Sequence, residues 1–332
     1  MSPHSKSLVA LSELEPDQEA DFFALMTAKE ELTTKTGKPY FRVAFRDAGR
    51  EVSFPIWDNS PWAADCRDGW KPGSFYKLRA TFRETNFGPQ LDIRKIREVN
   101  DDDLDFDPSM CRPQSRFDPA KMIDELTAII RRHVDNDGLR KLVESIIDAN
   151  RDALLVMPAA RRNHHAYAAG LLEHTLSVTR LCVQLAEKYA DYYPDMRPPL
   201  DRGLAVAGAV LHDIGKIREL QVQPEGTSYT SGGVLIGHIL MGRDMVREAA
   251  AEIDVDAETL LRLEHLIFAH QRLPEWGSPK PPMTPEALIV HYADDLDAKY
   301  HMMYAVLRDD ANPGPLTSTR NVLGQPVYRG EL

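Results

Sequence analysis

The sequence has few cysteines and no long apolar run. Its three cysteines, Cys66, Cys111 and Cys182, are far apart and form no Cys-x-x-Cys pair, which speaks against both a disulfide framework and a zinc ribbon. No run of about eighteen apolar residues occurs, and no basic segment followed by an apolar one opens the chain, so we expect neither a membrane span nor a secretion signal. These absences predict a cytoplasmic protein with reduced, structural thiols.

An overall excess of positive charge is also missing, because the 332-residue chain carries a net charge of −11. The net charge of the whole chain argues against a nucleic-acid partner, but binding depends on the charge of the region that makes the contact. The stretch from Lys35 to Arg97 contains thirteen Lys or Arg against seven Asp or Glu. The positive charge of this stretch therefore leaves a nucleic-acid partner possible. Separately, a length of 332 residues predicts two domains.

Residues 12–100 alternate between short strand-like segments and turn residues, which predicts a small all-β domain of four or five strands closed into a barrel. The K-x-G-K-P-Y-F turn at residues 35–41 and the V-S-F-P-I-W-D strand at residues 52–58 resemble those of a nucleic-acid-binding OB-fold. The resemblance implies that this domain holds a nucleic-acid strand.

Aromatic residues of this domain are interleaved with Arg and Lys, the combination that binds single strands by stacking and phosphate pairing. Phe45 and Trp57 are the predicted stacking residues, and Arg46, Lys77 and Arg79 the predicted phosphate partners. The competing interpretation is that about half of the aromatic residues form the barrel core, as alternation alone predicts. The aromatic residues concerned are Tyr40, Phe41, Phe45, Phe54, Trp57, Tyr76, Phe82 and Phe87.

The composition changes after the barrel. Residues 101–119 are acidic and contain proline, which is typical of a linker that does not pack. Residues 120–310 then show helical periodicity, which predicts an all-α bundle as the second domain. A brief hairpin over residues 218–230 is the expected exception, and residues 311–332 form a tail to which the sequence assigns no role.

The most informative stretch runs from Leu204 to Leu220. Its first eight residues are small and apolar, which indicates a helix buried on nearly all sides. His212 and Asp213 follow directly, and burying this pair is costly unless a partner such as a divalent cation compensates. Lys216 comes one turn later, so all three side chains can face one cavity.

Further histidines occupy other apolar helical segments of the same domain. His174 follows a leucine pair, His238 lies in a second segment, and His265 and His270 lie in a third; Asp294 follows another apolar run. His265 and His270 are five residues apart, about 140° around a helix, so both are not expected to face one ion. Spacing alone does not choose between the two; the resemblance given in the next paragraph favours His270 and leaves His265 as an outer or alternative ligand.

These segments, in order and spacing, resemble the HD-domain 3′-to-5′ exoribonucleases of the YhaM type. The matching motifs are GLLEHTLSV, AGAVLHDIGKIREL, LIGHI, LEHLIFAHQ, EWGSPKPPMTPEA and HYADDLDAK. The resemblance covers roughly residues 15–308 and implies an OB-fold barrel followed by an HD-type metal-dependent phosphohydrolase domain. The chain departs from the family at Gln271, where a second histidine is usual, so no role is assigned to that position.

The resemblance implies six metal ligands, namely His174, His212, Asp213, His238, His270 and Asp294. One ion would use His174, His212, Asp213 and Asp294, while His238 and His270 provide for a second ion that Asp213 bridges. Manganese is the first candidate metal, and cobalt, iron, nickel and magnesium are alternatives. Two such ions can activate water and clamp a phosphodiester, so hydrolysis is the expected reaction.

Lys216 and Asp213 are the expected catalytic residues, with Lys216 on the phosphate oxygen or the leaving group. His164 and His165 are expected to line a nucleotide pocket, although a basic solvated loop before a helix is an equal alternative. The expected partner is single-stranded RNA, with single-stranded DNA as an alternative, and a homo-oligomer remains open.

Three functions compete. The first is a 3′-to-5′ exoribonuclease that releases nucleoside 5′-monophosphates from a strand held by the barrel. The second is another HD-domain enzyme, either a phosphohydrolase acting on nucleotides or a di-iron oxygenase, which should not need an aromatic and basic barrel. The third is a nucleic-acid-binding regulator that retains the HD scaffold, which predicts lost ligands, whereas all six are present.

Overall fold

A computed structural model describes residues 8–34, 36–85, 88–161, 163–223, 226–310, 312 and 314–330. The chain divides into two compact units. The first contains residues up to Gln114 together with Val222–Gly226, and the second contains Ser115–Gln221 and Thr227–Leu332. Phe87, one of the aromatic residues of the predicted barrel, lies outside the described residues. Within the described ranges, no helix is both long and apolar enough to cross a bilayer.

The first unit is a five-stranded antiparallel sheet in the order β3-β2-β1-β4-β5. The strand β1 pairs with both β2 and β4, and β3 approaches β5, so the sheet curls towards a closed barrel. This topology, with one short helix between β3 and β4, agrees with the expected OB-fold barrel. The elements are β1 (Glu19–Thr33), β2 (Pro39–Arg46), β3 (Glu51–Trp57), α1 (Ala63–Asp68), β4 (Phe75–Thr85) and β5 (Gly88–Glu98).

Strand alternation decides which aromatic residues face the barrel interior. Phe45 is fully buried and packs against Phe54, Trp70 and Tyr76. The prediction that Phe45 stacks on a nucleic-acid base is therefore wrong, because its ring forms part of the core. Five of the predicted aromatic residues are buried in this way: Phe41, Phe45, Phe54, Tyr76 and Phe82.

Part of the predicted linker packs against the barrel. The Asp103 side chain is 2 % exposed and forms ion pairs with Lys77 and Arg97. Phe106 packs against Phe23 and Phe75, with ring centroids 5.0 Å apart in each pair. The expectation that this acidic stretch would not pack fails up to at least Phe106, since basic residues of β4 and β5 neutralise Asp103 and an apolar cluster accepts the ring.

A two-stranded hairpin lies where the sequence predicts it, although residues 222–226 belong to the first unit. The second unit is otherwise helical. Its elements are α2 (Pro119–His133), α3 (Asp137–Ala149), α4 (Arg151–Leu154), α5 (Gly170–Tyr192), α6 (Arg202–Leu211), α7 (Lys216–Glu219), β6 (Leu220–Gln223), β7 (Gly226–Tyr229), α8 (Ser231–Leu235), α9 (His238–Ala250), α10 (Ala257–Ala269) and α11 (Pro285–Asp309). The expected β-then-α architecture is confirmed, with the hairpin as the addition to an all-α bundle.

The helix α6 forms the centre of this unit. All residues from Leu204 to Leu211 are buried, and α6 packs against α5, α10 and α11. Asp201 caps its first turn by accepting from the N–H of Leu204. At Gly208 a Cβ atom would lie 2.1 Å from the Leu266 side chain, so the absence of a side chain lets α10 come close. The C-terminal end of α6 is thus held deep in the bundle.

Candidate metal centre

Two of the four histidines predicted to bind metal, His212 and His270, lie at the C-terminal ends of apolar helices. His212 directly follows α6 and donates from Nδ1 to the carbonyl of Ala209 at 2.7 Å. His270 directly follows α10 and donates from Nδ1 to the carbonyl of Ile267 at 2.8 Å. Each imidazole satisfies one of the carbonyls that a helix end leaves without an intrahelical partner. Because Nδ1 carries the proton in both rings, both Nε2 atoms present a lone pair.

The other two histidines are oriented by carboxylates. His174 in α5 is fully buried, and its Nδ1 donates to Asp297 at 2.7 Å. His238 opens α9, and its Nδ1 donates to Glu219 at 3.1 Å, while its backbone N–H donates to the same carboxylate oxygen. A carboxylate that accepts from one ring nitrogen leaves the other free for a metal ion and fixes the ring orientation.

All four Nε2 atoms point at Asp213. Its Oδ2 lies 3.5 Å from His174 and 3.4 Å from His212, and its Oδ1 lies 3.3 Å from His238 and 3.6 Å from His270. Each carboxylate oxygen therefore faces one pair of histidines. On the first side, Asp294 Oδ1 lies 3.1 Å from His174 Nε2. We call these six residues the His–Asp cluster; they are the six that the resemblance implies as ligands.

The donors of the His–Asp cluster fit divalent transition-metal ions. Asp213 Oδ1 is buried and has no hydrogen-bond partner among the described residues, which is costly unless a cation occupies the adjacent space. The Nε2 atoms of His174 and His212 lie 3.3 Å apart, which is close enough for both to contact one ion. Imidazole and carboxylate donors together suit manganese, iron, cobalt or nickel.

Buried charges in the cluster stabilise one another. Burial alone would lower the pKa of His174, but hydrogen bonds to Asp294 and Asp297 outweigh it and raise the pKa to about 9. Burial would raise the pKa of Asp213, yet the charge of Lys216 holds it well below its usual range. Burial lowers the pKa of His270 to about 3, so its ring is neutral and able to bind a metal.

Gly215 explains why His238 reaches Asp213. A Cβ atom at residue 215 would lie 2.0 Å from the carbonyl oxygen of His238 and 2.5 Å from the backbone nitrogen of Gly242. Only a glycine therefore lets the turn after Asp213 pack directly on the start of α9. The His-Asp-x-Gly order of the sequence thus places the Asp213 carboxylate next to the first residue of another helix.

A cavity adjoins the cluster. It is lined by Lys216, His238 and His164, and by the half-exposed rings of Tyr229 and Trp276. The Lys216 ammonium lies 2.6 Å from Asp213 Oδ2 and is 7 % exposed. Burial, reinforced by the charge of Lys216, lowers the pKa of His164 to about 3, so this ring is a neutral group at the cavity wall. The volume is about 470 Å³.

The two histidines of the predicted nucleotide pocket point to different places. His165, with a φ of +47°, is buried; its Nε2 lies 3.1 Å from Asp297 and its Nδ1 lies 2.6 Å from the Tyr167 hydroxyl. It faces a second cavity of about 450 Å³. The left-handed backbone at His165 turns its ring away from His164, so only His164 lines the cavity beside Lys216.

His265 is not placed as an outer ligand. Its Nε2 accepts a hydrogen bond from the backbone N–H of Met283, 2.9 Å away. The five-residue separation from His270 turns it to another side of α10. Its observed contact ties α10 to the segment before α11, so the structure gives it a structural part outside the His–Asp cluster.

Sequence reasoning missed two residues that contact ligands, Asp297 and Glu219, and assigned no role to a third, Gln271. Asp297 accepts from His174, Glu219 accepts from His238, and Gln271 has its Nε2 3.3 Å from His238 Nε2. Asp297 follows Asp294 by three residues on the same helix, and Glu219 follows Lys216 by three residues. This one-turn spacing is a usable signal for such supporting carboxylates.

Trp57 is the exposed member of an aromatic pair on the barrel. Trp57 is 48 % exposed, and its ring centroid lies 5.0 Å from that of Tyr40, its neighbour across β2 and β3. The predicted phosphate partners are less available. Arg79 forms a bidentate pair with Asp21 at 2.6 Å, and Lys77 pairs with Asp103.

Arg46, the third predicted phosphate partner, lies at the end of β2. Its Nε is buried without a hydrogen-bond partner among the described residues. On the outer face of β4 and β5 a concave surface of about 430 Å³ is lined by Lys77, Arg79, Lys95, Arg97 and Trp62. Of the predicted strand-binding residues, the structure thus brings Lys77 and Arg79 to one surface and Trp57 to the face of β2 and β3.

Two solved structures share similarity with part of the chain. The second OB-fold domain of replication protein A from Methanococcus maripaludis is 17 % identical, with 28 % of this chain and 96 % of that chain covered and a TM-score of 0.23. Schizosaccharomyces pombe Pot1pC, solved bound to single-stranded DNA, is 16 % identical, with 30 % and 90 % covered and a TM-score of 0.23.

The helical unit matches a protein-family model. The model is described as the HD domain, and it covers residues 171–299. This range begins just before His174 and ends just after Asp297, so it contains all six residues of the His–Asp cluster and Lys216. HD domains are metal-dependent phosphohydrolases, which agrees with a donor set suited to divalent metals. Residues 171–299 of this chain are therefore similar to the HD domain.

Proposed function

We propose that the protein is a 3′-to-5′ exoribonuclease that hydrolyses single-stranded RNA to nucleoside 5′-monophosphates at a binuclear metal site. The observation that carries the proposal is the position of Asp213. Its two oxygens each face a pair of histidine Nε2 atoms, at 3.3 to 3.6 Å. A carboxylate so placed can bridge two ions, which is the arrangement used for in-line displacement at phosphorus.

The proposed ligands are His174, His212 and Asp294 for one ion and His238 and His270 for the other, with Asp213 shared. When bound, the ions would supply an activated water and charge stabilisation for the phosphodiester. Lys216 would hold a non-bridging oxygen of that phosphodiester, since its ammonium lies at the cavity wall beside Asp213. Because the site is largely shielded from water, a fixed positive charge there has a large electrostatic effect.

The cavity supports a nucleotide as the bound group. Its volume of about 470 Å³ is in the range of small-molecule sites. Trp276 and Tyr229, which are 50 % and 44 % exposed, provide faces on which a base can stack. Asn163 and Gln271 provide hydrogen-bonding groups on the same wall. A cavity for one terminal nucleotide favours release of single nucleotides; the 3′-to-5′ direction follows from the resemblance to YhaM-type enzymes.

The barrel is proposed to hold the remainder of the strand. The exposed ring of Trp57, backed by that of Tyr40, offers stacking, and strands 2 and 3 are the face on which OB-folds bind oligonucleotides. Lys95, on the basic surface of β4 and β5, would add a phosphate contact whose strength falls with salt.

The test is product analysis with the full chain. A 5′-labelled single-stranded RNA incubated with the protein and Mn²⁺ should shorten from its 3′ end, and mass spectrometry should find nucleoside 5′-monophosphates. An Asp213→Asn variant, checked for folding, should release none. Products carrying 3′-phosphates, or shortening from the 5′ end, would contradict the proposal.

The same cavity would hold a free nucleotide, so hydrolysis of nucleotides is the second candidate. Its test uses the same preparations with nucleoside mono- and triphosphates in place of RNA. Phosphate release from these compounds, with RNA left intact, would favour the nucleotide phosphohydrolase over the exoribonuclease.

A further inference from the structure

The solvent-exposed face of α11 is apolar along most of its length. Between residues 286 and 298 every exposed residue of α11 is apolar, namely Leu288, Tyr292 and Leu296. The face continues at similar spacing through Tyr300, Met303, Tyr304 and Leu307, and all seven are between 38 % and 71 % exposed. A surface helix normally carries polar residues on its outer face. We call these seven side chains the α11 stripe.

The order of residues in the α11 stripe is nearly the same in both directions. If two copies of α11 pack antiparallel about a point near residue 298, Leu288 meets Leu307, Tyr292 meets Tyr304 or Met303, and Leu296 meets Tyr300. A two-fold symmetric interface requires such self-complementarity, because the same patch serves both subunits. A partner of different sequence imposes no such pattern.

Charged residues beside the stripe favour the same arrangement. Asp295 and Lys299 form an ion pair at 2.8 Å along one edge of the stripe. In the antiparallel arrangement Lys299 lies within one turn of the partner's Asp295, so the two pairs can exchange across the symmetry axis. The opposed helices also place their macrodipoles head to tail.

The area is sufficient for a stable dimer. The seven side chains of the stripe together expose roughly 800 Å², about what each partner contributes to a standard-size interface. Four of the seven are aromatic or methionine, the types enriched in interface cores. The stripe spans roughly 28 Å at 1.5 Å per residue and winds partly around α11, so two copies would cross at an angle and bury its central residues most fully.

We infer that the α11 stripe is the interface of a homodimer in which two α11 helices pack antiparallel. Asp294, which contacts His174, lies on the side of α11 that faces away from the centre of the stripe. Each subunit therefore keeps its own metal centre just behind the interface. The inference does not depend on the proposed function.

The test measures the mass of the full chain by light scattering coupled to size exclusion and by sedimentation equilibrium. The wild-type protein should have twice the monomer mass of 37.5 kDa at about 10 μM. Leu296→Glu places a charge at the centre of the stripe and should shift the protein to monomers, raising the dimer dissociation constant at least about 100-fold. Circular dichroism and metal content confirm that this exposed position does not alter folding.

The matched control is Leu261→Glu on α10, since Leu261 is 62 % exposed and lies off the stripe. This variant should keep the wild-type mass. Wild-type protein that remains at monomer mass up to about 100 μM would overturn the inference, as would an unchanged dimer in Leu296→Glu. A stripe variant that keeps its mass but loses binding to single-stranded RNA would assign the stripe to nucleic acid and also overturn it.

Discussion

Asp297 accepts a hydrogen bond from Nδ1 of His174 at 2.7 Å, one helical turn beyond Asp294 on α11. The same carboxylate accepts from the Ser177 hydroxyl and lies 3.1 Å from Nε2 of His165. Against the effect of burial, these donors lower the pKa of Asp297. Asp297 thus remains ionised, fixes the tautomer of His174 and aims its Nε2 at Asp213 and Asp294.

Replacing Asp297 by Asn should weaken metal binding without removing a proposed ligand. Asparagine can present an NH₂ group to His174 and no longer stabilises the orientation with Nδ1 protonated, so we expect about a 10- to 100-fold loss of Mn²⁺ affinity. Titration calorimetry measures it. Asp295→Asn, which removes a carboxylate two residues earlier that pairs with Lys299, is the control. Equal affinities in the two variants would contradict the role of Asp297.

Lys216→Met should separate catalysis from metal binding. Methionine keeps most of the side-chain volume but removes the charge proposed to hold the phosphate, so turnover should fall about 10²- to 10³-fold while both ions remain bound. Metal content by mass spectrometry and the rate on RNA are measured on the same preparation. Lys141→Met, at an exposed position of α3, is the control. A variant that loses its ions would instead make Lys216 a structural partner of Asp213.

Trp57→Ala should weaken binding of single-stranded RNA by the full chain. Loss of one stacking face costs about 1 to 3 kcal/mol, which corresponds to roughly a 5- to 150-fold higher dissociation constant. Fluorescence anisotropy with a labelled oligonucleotide measures it. Tyr193→Ala, which removes a 50 % exposed ring from the helical unit, should bind as the wild type does. Unchanged binding in Trp57→Ala would move the strand to another surface of the barrel.

Asp103→Asn should destabilise the first unit, because Asp103 is hydrogen-bonded to Arg97 and Lys77. We expect a loss of about 1 to 3 kcal/mol in the free energy of unfolding. Urea unfolding followed by tryptophan fluorescence reports it, since Trp57, Trp62 and Trp70 belong to this unit. Asp105→Asn, at an exposed position, is the control, and equal midpoints for the two variants would show that Asp103 contributes nothing.

The destabilisation by Asp103→Asn should depend on pH. The hydrogen bond from Arg97 holds the pKa of Asp103 well below its usual range. A carboxyl with a lowered pKa contributes stability that is fully present above the unfolded value of about 3.9 and is lost as the pH falls below it. The difference in the free energy of unfolding between wild type and variant should therefore be largest at neutral pH and should decrease as the pH falls below about 4. A constant difference would mean that the charge of Asp103 is not its cause.

The sequence was sufficient to predict the residues that meet in the His–Asp cluster. Imidazoles and carboxylates that interrupt apolar helices have few stable environments, so their positions mark His212, Asp213 and His270 as candidates for a buried site, and the resemblance to HD-domain enzymes supplied the full set of six. The metal role of these residues remains a prediction. The carboxylates that orient the histidines, Asp297 and Glu219, were not predicted, because a carboxylate on a helix has the same local sequence pattern whether it faces solvent or a histidine.

The barrel shows what the sequence pattern of a strand cannot predict. Alternation predicts which residues of a strand share a face, but it does not say which face is inside. Phe45 and Trp57 therefore had equal claims as stacking residues, and only packing places Phe45 in the core. Nothing in the sequence indicated that Asp103 would be buried. Its ion-pair partners are Arg97, at the end of the preceding strand β5, and Lys77, one strand earlier on β4.

The hydrogen bonds that fix the four histidines have a thermodynamic consequence. His212 and His270 are held by carbonyls of their own helices, and His174 and His238 by carboxylates. The four rings therefore lose their rotamer freedom when the chain folds, and none of that entropy remains to be lost when an ion arrives. Apo protein should accordingly take up metal rapidly and with little change in backbone hydrogen exchange, as a preorganised receptor does.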